Sequence, residues 1–141
     1  MLRLSIVLLF LVAFFTGVNY SQQENETVVH VQSWKFKSLP TGDEAVAFRE
    51  MLKRQSEVLN QDPRTVRSYV LRHFWGADSR DLVMISEFKN VQDMFSLYED
   101  MDALMEKAFS ADQMKKDQEM WDKYVGHHAD EIYGLVEGTK K

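Results

Sequence analysis

Four histidines, at positions 30, 73, 127 and 128, are the natural candidates for proton transfer near neutral pH. The chain has no cysteine and no GxSxG, Walker or GxGxxG segment. Thiolate nucleophiles and the hydrolase, NTPase and dinucleotide chemistries therefore have no residues to rest on. His127-His128-Ala129-Asp130-Glu131 gathers four potential ligands or proton carriers. On a strand, His128 and Asp130 share one face while His127 and Glu131 share the other, so these residues cannot converge unaided. A zinc-type site needs three protein ligands at fixed distances, and here it would need His30 or His73 from across a sheet. Three readings stay open for the segment: a metal site, a catalytic or ligand-orienting histidine, and a strand-entry histidine bonded to backbone or a surface carboxylate.

The elements that must position these groups follow from periodicity. Val66 to Trp75 and Leu82 to Phe88 are rich in β-branched and aromatic residues and are separated by Gly76-Ala77-Asp78-Ser79-Arg80-Asp81, the pattern of a β-hairpin. Thr27 to Lys37 reads as an earlier strand and His128 to Glu137 as a last one. Thr41 with Glu44 forms a capping box for a helix through about Asn60, ended by Pro63. Asn90 can cap a second helix from Val91 to about Ala108, and Ser110 with Gln113 a third segment to about Val125. Five of the eight methionines fall in these last two segments, as core filler or as an adaptable binding surface. The order is βαββαβ, an α+β ferredoxin-like arrangement whose four-stranded antiparallel sheet carries helices on one face only.

Composition narrows the partners. With 22 acidic against 17 basic side chains, the surface does not suit nucleic acid or anionic lipid as main partner. Met1-Leu2-Arg3 and the apolar run Leu4 to Val18 resemble a signal peptide and fall short of the ~20 residues that span a bilayer. Residues 1–20 are thus expected to direct export, periplasmic or extracellular, or to stay as an uncleaved membrane anchor. There is no A-x-A before a cleavage point, and a cut after Gly17 or Ser21 puts Phe15 or Asn19 three residues before it. Residues 21–26 read as a polar linker, 27–137 as one domain and 138–141 as a tail. Asn25-Glu26-Thr27 fits a glycosylation acceptor, which matters only in a eukaryotic secretory route. An exported domain without disulfides must rely on its core, or on its core plus a subunit interface.

On element order, hairpin, length and the aromatic strand residues Trp34, His73 and Trp75, the chain resembles the dimeric α+β barrel superfamily. That superfamily includes antibiotic-biosynthesis-type and haem-degrading monooxygenases, EthD-like proteins and stress-response A/B-barrel domains. The resemblance covers about Thr27 to Glu137 and implies a homodimer whose two sheets enclose a lumen. Period two then assigns lumen faces. His30, Gln32 and Trp34 form the aromatic, polar face of the first strand, with Val29 and Val31 toward the helices; Tyr69, Leu71, His73 and Trp75 lie together on the second. An aromatic lumen with a few polar groups suits an apolar ligand. Trp34, Trp75, Tyr133, Tyr69 and His128 are the expected ligand contacts, although each large aromatic also has a plain core reading. The leading expectation is an exported homodimer binding a small apolar or aromatic molecule in the barrel lumen, with no cofactor. The first alternative, implied by the resemblance, is a cofactor-independent monooxygenase or isomerase with His73 or His30 as general base. The second is a purely structural, dimerising role.

Overall fold

The computed structural model describes residues 26–136 and 138–139. The export segment expected over residues 1–20 and nearly all of the linker lie outside them. In chain order the elements are β1 (Val28–Phe36), α1 (Gly42–Gln61), β2 (Thr65–Arg72), β3 (Asp81–Phe88), α2 (Val91–Glu99), α3 (Met101–Ala108), α4 (Ala111–Tyr124) and β4 (Val125–Gly134). The strands form one antiparallel sheet in the order β2-β3-β1-β4. This is the ferredoxin-like α+β fold that the pattern predicts, with its second helical region in three pieces.

Local chemistry explains the departures. The capping box at Thr41 does not close: Thr41 makes no side-chain cap, and Gly42 enters α1 with φ +55°. Glu44 bonds instead to Lys123 and Tyr124 at the end of α4, tying the two helices together. The caps at Asn90 and Ser110 do form, each side chain accepting the backbone N–H three residues on. The expected helix from Val91 to Ala108 breaks at Asp100, whose carboxylate accepts from Arg64 Nη1 at 2.7 Å. At the other end of the domain, α4 runs straight into β4 at Val125, three residues before the expected start at His128. Gly126 permits this junction, because a Cβ there would sit 3.3 Å from the Lys35 carbonyl oxygen.

The hairpin is also shorter than its apolar run. β3 begins at Asp81, so His73 is the last residue whose N–H reaches it, bonding the Asp81 carbonyl at 3.1 Å. Beyond it, Asp78 organises the loop by accepting from Arg80 and Lys35. Phe74 and Trp75 are left 91% and 92% exposed on that loop.

Two apolar clusters sit between sheet and helices. One joins Phe36, Phe48, Met51, Leu52, Leu82, Tyr124 and Val125; the other joins Val28, Leu59, Phe88, Met94 and Leu97. They occupy opposite ends of β1, and a polar belt crosses the sheet between them. Ser68, Ser86 and His30 are buried in that belt, with the two serine hydroxyls 3.0 Å apart.

Candidate functional site

The position of every side chain on β1 follows from its two ends. Val28 and Phe36 are each anchored in an apolar cluster, and the even spacing between them turns His30, Gln32 and Trp34 toward the helices as well. This inverts the expected lumen face of β1: Val29 and Val31 lie on the bare side, paired with Glu87 and Ile85 of β3. The polar groups of His30 and Gln32 are tolerated there because each finds a partner.

His30 is 8% exposed and is held at both ring nitrogens. Its Nδ1 lies 2.5 Å from the Tyr98 hydroxyl on α2, and its Nε2 lies 3.2 Å from Asp130 Oδ1 on β4. An ionised carboxylate only accepts, so Nε2 carries the proton and Nδ1 accepts from Tyr98. Gln32 Nε2 donates to the same Asp130 oxygen at 3.0 Å, while His128 Nε2 meets the other oxygen at 3.0 Å. Burial pushes the Asp130 carboxyl up, but the Gln32 hydrogen bond and the charges of His128 and His30 outweigh it and hold the group below the usual carboxylate range. Burial, aided by the Asp130 charge, pushes the Tyr98 phenol up to about 12. The result is a directed chain, Tyr98 to His30 to Asp130, in which a proton leaving Tyr98 is received by an imidazole already steadied by a carboxylate.

Beside this chain, a cleft of about 340 Å³ lies under α3 and α4. Its aromatic wall is Trp34 against Trp121, with ring centroids 4.8 Å apart in an edge-on arrangement, and Met84, Met105 and Met114 supply much of the apolar lining. The Trp34 ring also stacks on His128 at 4.0 Å, and its buried Nε1 has no hydrogen-bond partner among the described residues. Gln32 lines the cleft and bonds Asp130, so it connects the cleft to the Tyr98–His30–Asp130 chain. One turn before Trp121 on α4, Asp117, 6% exposed, is fixed by Gln113 Nε2 at 2.7 Å and Arg54 Nη2 at 3.1 Å. Such a site can sandwich a flat apolar molecule and present an amide and a carboxylate to its polar edge. A larger hollow of about 440 Å³ lies elsewhere, between α1 and the sheet edge.

The expected site residues are therefore divided. His30, Trp34 and His128 come together on the helix side. Tyr69 and Tyr133 lie on the bare face of the sheet, on strands separated by β3 and β1. His73 and Trp75 belong to the β2–β3 loop, so the expected meeting of the hairpin end with Trp34 does not occur. The HHADE segment does receive its help from across the sheet, from His30, but as hydrogen bonds on Asp130. Among the described residues no group of three His, Asp or Glu side chains is placed to hold a metal ion. Sequence reasoning passed over Tyr98 and Asp117 and did not count Trp121 among the ligand contacts. Trp121 and Asp117 share an i, i+4 face of α4 with Met114 a turn before, which is the one signal that could have grouped them.

The chain matches no family model and no curated protein. Solved structures do resemble it. A candidate antibiotic biosynthesis monooxygenase from Nitrosomonas europaea aligns at 17% identity with TM-score 0.56, covering 83% of this chain and 97% of its own. A dabb family protein from Mesorhizobium loti with a ferredoxin-like fold aligns at 15% identity and TM-score 0.51, covering 79% and 98%. SnoaB, a cofactor-independent oxygenase from Streptomyces nogalater, aligns at 12% identity and TM-score 0.50, covering 82% and 99%. At these identities the likeness is one of fold.

Proposed function

We propose that this is an exported, homodimeric α+β barrel protein that binds a small, largely aromatic or apolar molecule, and that the ligand occupies the cleft under α3 and α4. The observation that carries the reading is the Trp34–Trp121 wall lined with methionines beside the Gln32 amide. Thioethers and aromatic edges adapt to a flat apolar body, and the few polar groups orient it. The bare sheet face supports the homodimer: Val29, Val31, Val83, Ile85 and Tyr69 line it, with Leu71 and Tyr133 about half exposed, and a second copy would cover this apolar surface. Export rests on the character of residues 1–20. Native mass spectrometry of protein taken from its source compartment tests these parts together. The expected result is a dimer of chains lacking the first 20 or so residues, with a small organic molecule retained by wild type and absent from Trp121→Ala. A ligand-free monomer that begins at Met1 would overturn the reading.

A second reading, a cofactor-independent oxygenase or isomerase, is favoured by the Tyr98–His30–Asp130 chain, and the fold is one that such an oxygenase uses. In that chemistry the Tyr98 oxygen takes a proton from an acidic C–H or O–H of the substrate while passing its own to His30 Nδ1. The new imidazolium is stabilised by Asp130. Turnover of a quinol with dioxygen that is lost in His30→Ala and in Tyr98→Phe, with the dimer intact, would establish catalysis and end the binding-only reading.

A further inference from the structure

We propose that the 440 Å³ groove between α1 and the free edge of β2 is a second binding site, for a small carboxylate with an apolar body. Three observations converge on it. The first is charge. Half of the described lysines and arginines of this acidic chain sit against a carboxylate, among them Lys35, Arg54, Arg64, Arg67, Arg80 and Lys123. Arg49, Lys53 and Arg72 all line the groove, and none has a carboxylate within 4.0 Å among the described residues. Arg49 and Lys53 share a face of α1 at i, i+4, and α1 lies antiparallel to β2, which brings them to the Arg72 end of the strand. Like charges held together without a counterion are unfavourable, and an anion between them relieves that cost.

The second observation is backbone. β2 is an edge strand. Asn60 covers one outward pair of backbone groups, its side chain accepting from Ser68 N–H at 2.6 Å and donating to the Ser68 carbonyl at 2.8 Å. Because His73 N–H points inward to β3, alternation turns the backbone groups of Val70 and Arg72 outward, into the groove. These N–H groups are ready donors to an anion or its ester-like oxygen. The third is the floor, made by Leu52, Val70 and Leu82, which is apolar. The stretch from Ser68 to Arg72 is roughly 13 Å, the length of a medium-chain fatty acid. The acidic lining residue, Glu57, lies one turn beyond Lys53 toward the Asn60 end, so the groove is polarised: cations at one end and a hydrogen-bonding, acidic end at the other. A carboxylate therefore binds in one direction, head at Arg49 and Arg72 and tail over Leu52.

The test is titration of the full chain with octanoate, 1-octanol and inorganic phosphate at low salt, read by calorimetry and by ¹H–¹⁵N spectra. Octanoate is expected to bind, to shift the Val70 and Arg72 amides, and to leave the Trp34 and Trp121 indole signals unmoved. Affinity should fall at least tenfold in Arg49→Gln/Arg72→Gln and severalfold in Lys53→Gln, all of them exposed positions whose folding the same spectra report. Phosphate binding as tightly as octanoate, or octanol binding as tightly with the charge variants silent, overturns the proposal. Octanoate that moves only the indole signals also overturns it while leaving the cleft reading intact, and loss of an aromatic ligand from the cleft leaves the groove untouched.

Discussion

The Tyr98 hydroxyl donates to His30 Nδ1 across 2.5 Å, with the two rings edge-on at 5.3 Å and 79°. This contact fixes the histidine tautomer, and its removal should be measurable twice over. Tyr98→Phe leaves the buried Nδ1 without a donor and should cost about 1–3 kcal/mol in urea unfolding. It should also change the alkaline limb. The folded Tyr98 pKa of about 12 lies above the ordinary 10, so its stabilisation is complete below pH 10 and is lost as pH rises toward 12. In wild type, stability should fall across that window; in the variant the fall should be shallower. An unchanged limb would mean that Tyr98 is not protected.

At the acid end Asp62 is one of several carboxyls held low. Arg64 hydrogen bonds hold its carboxyl below the usual range, opposed by burial. A depressed folded pKa gives stability that is present above the unfolded value near 3.9 and is lost as pH falls through the folded one. Asp62→Asn should cost about 1 kcal/mol at pH 7 and flatten the stability loss below about pH 4. Thermal unfolding between pH 2 and 7 checks both.

Ser68 and Ser86 are both buried, and their hydroxyls pair at 3.0 Å. Replacing one by alanine leaves the other unsatisfied and should cost about 1–2 kcal/mol, whereas the double replacement should cost less than the sum. A double-mutant cycle that shows strict additivity would mean that the hydroxyls do not interact.

If the bare sheet face is the dimer interface, a charge at its centre will break it. Val31→Glu, opposite Ile85 on β3 and Glu131 on β4, should convert the dimer to a monomer in light scattering while the helical signal persists. Persistence of the dimer would move the interface elsewhere.

The loop aromatics offer the converse. Phe74→Ser and Trp75→Ser should leave stability within about 0.5 kcal/mol, because among the described residues both rings are more than nine-tenths exposed. Neither change, nor His73→Ala, should alter ligand binding in the cleft. Loss of binding would return the hairpin end to the site.

Much of this architecture was readable from residue spacing. The β-branched runs, the caps at Asn90 and Ser110 and the Pro63 stop each act within a few residues, and they led to the right order of elements and the ferredoxin-like class. The site was only half readable. The pairing of His128 with Asp130 on one face is a matter of period two, and the need for His30 from across the sheet follows from it. Which way β1 faces is different in kind, because both of its faces contain apolar residues and the alternation is identical for either choice. The valines at 29 and 31 looked like the helix-facing row. The decision is made by Phe36 meeting Phe48 and by Trp34 meeting Trp121, contacts between separate elements of the chain. By itself the sequence determined which elements form and which residues share a face, since those depend on local backbone geometry. Only the tertiary structure decided which face is inside, and with it that Tyr98 meets His30, that the cleft lies under the helices, and that Trp75 stands in solvent, because those outcomes depend on which distant side chains compete for the same buried space.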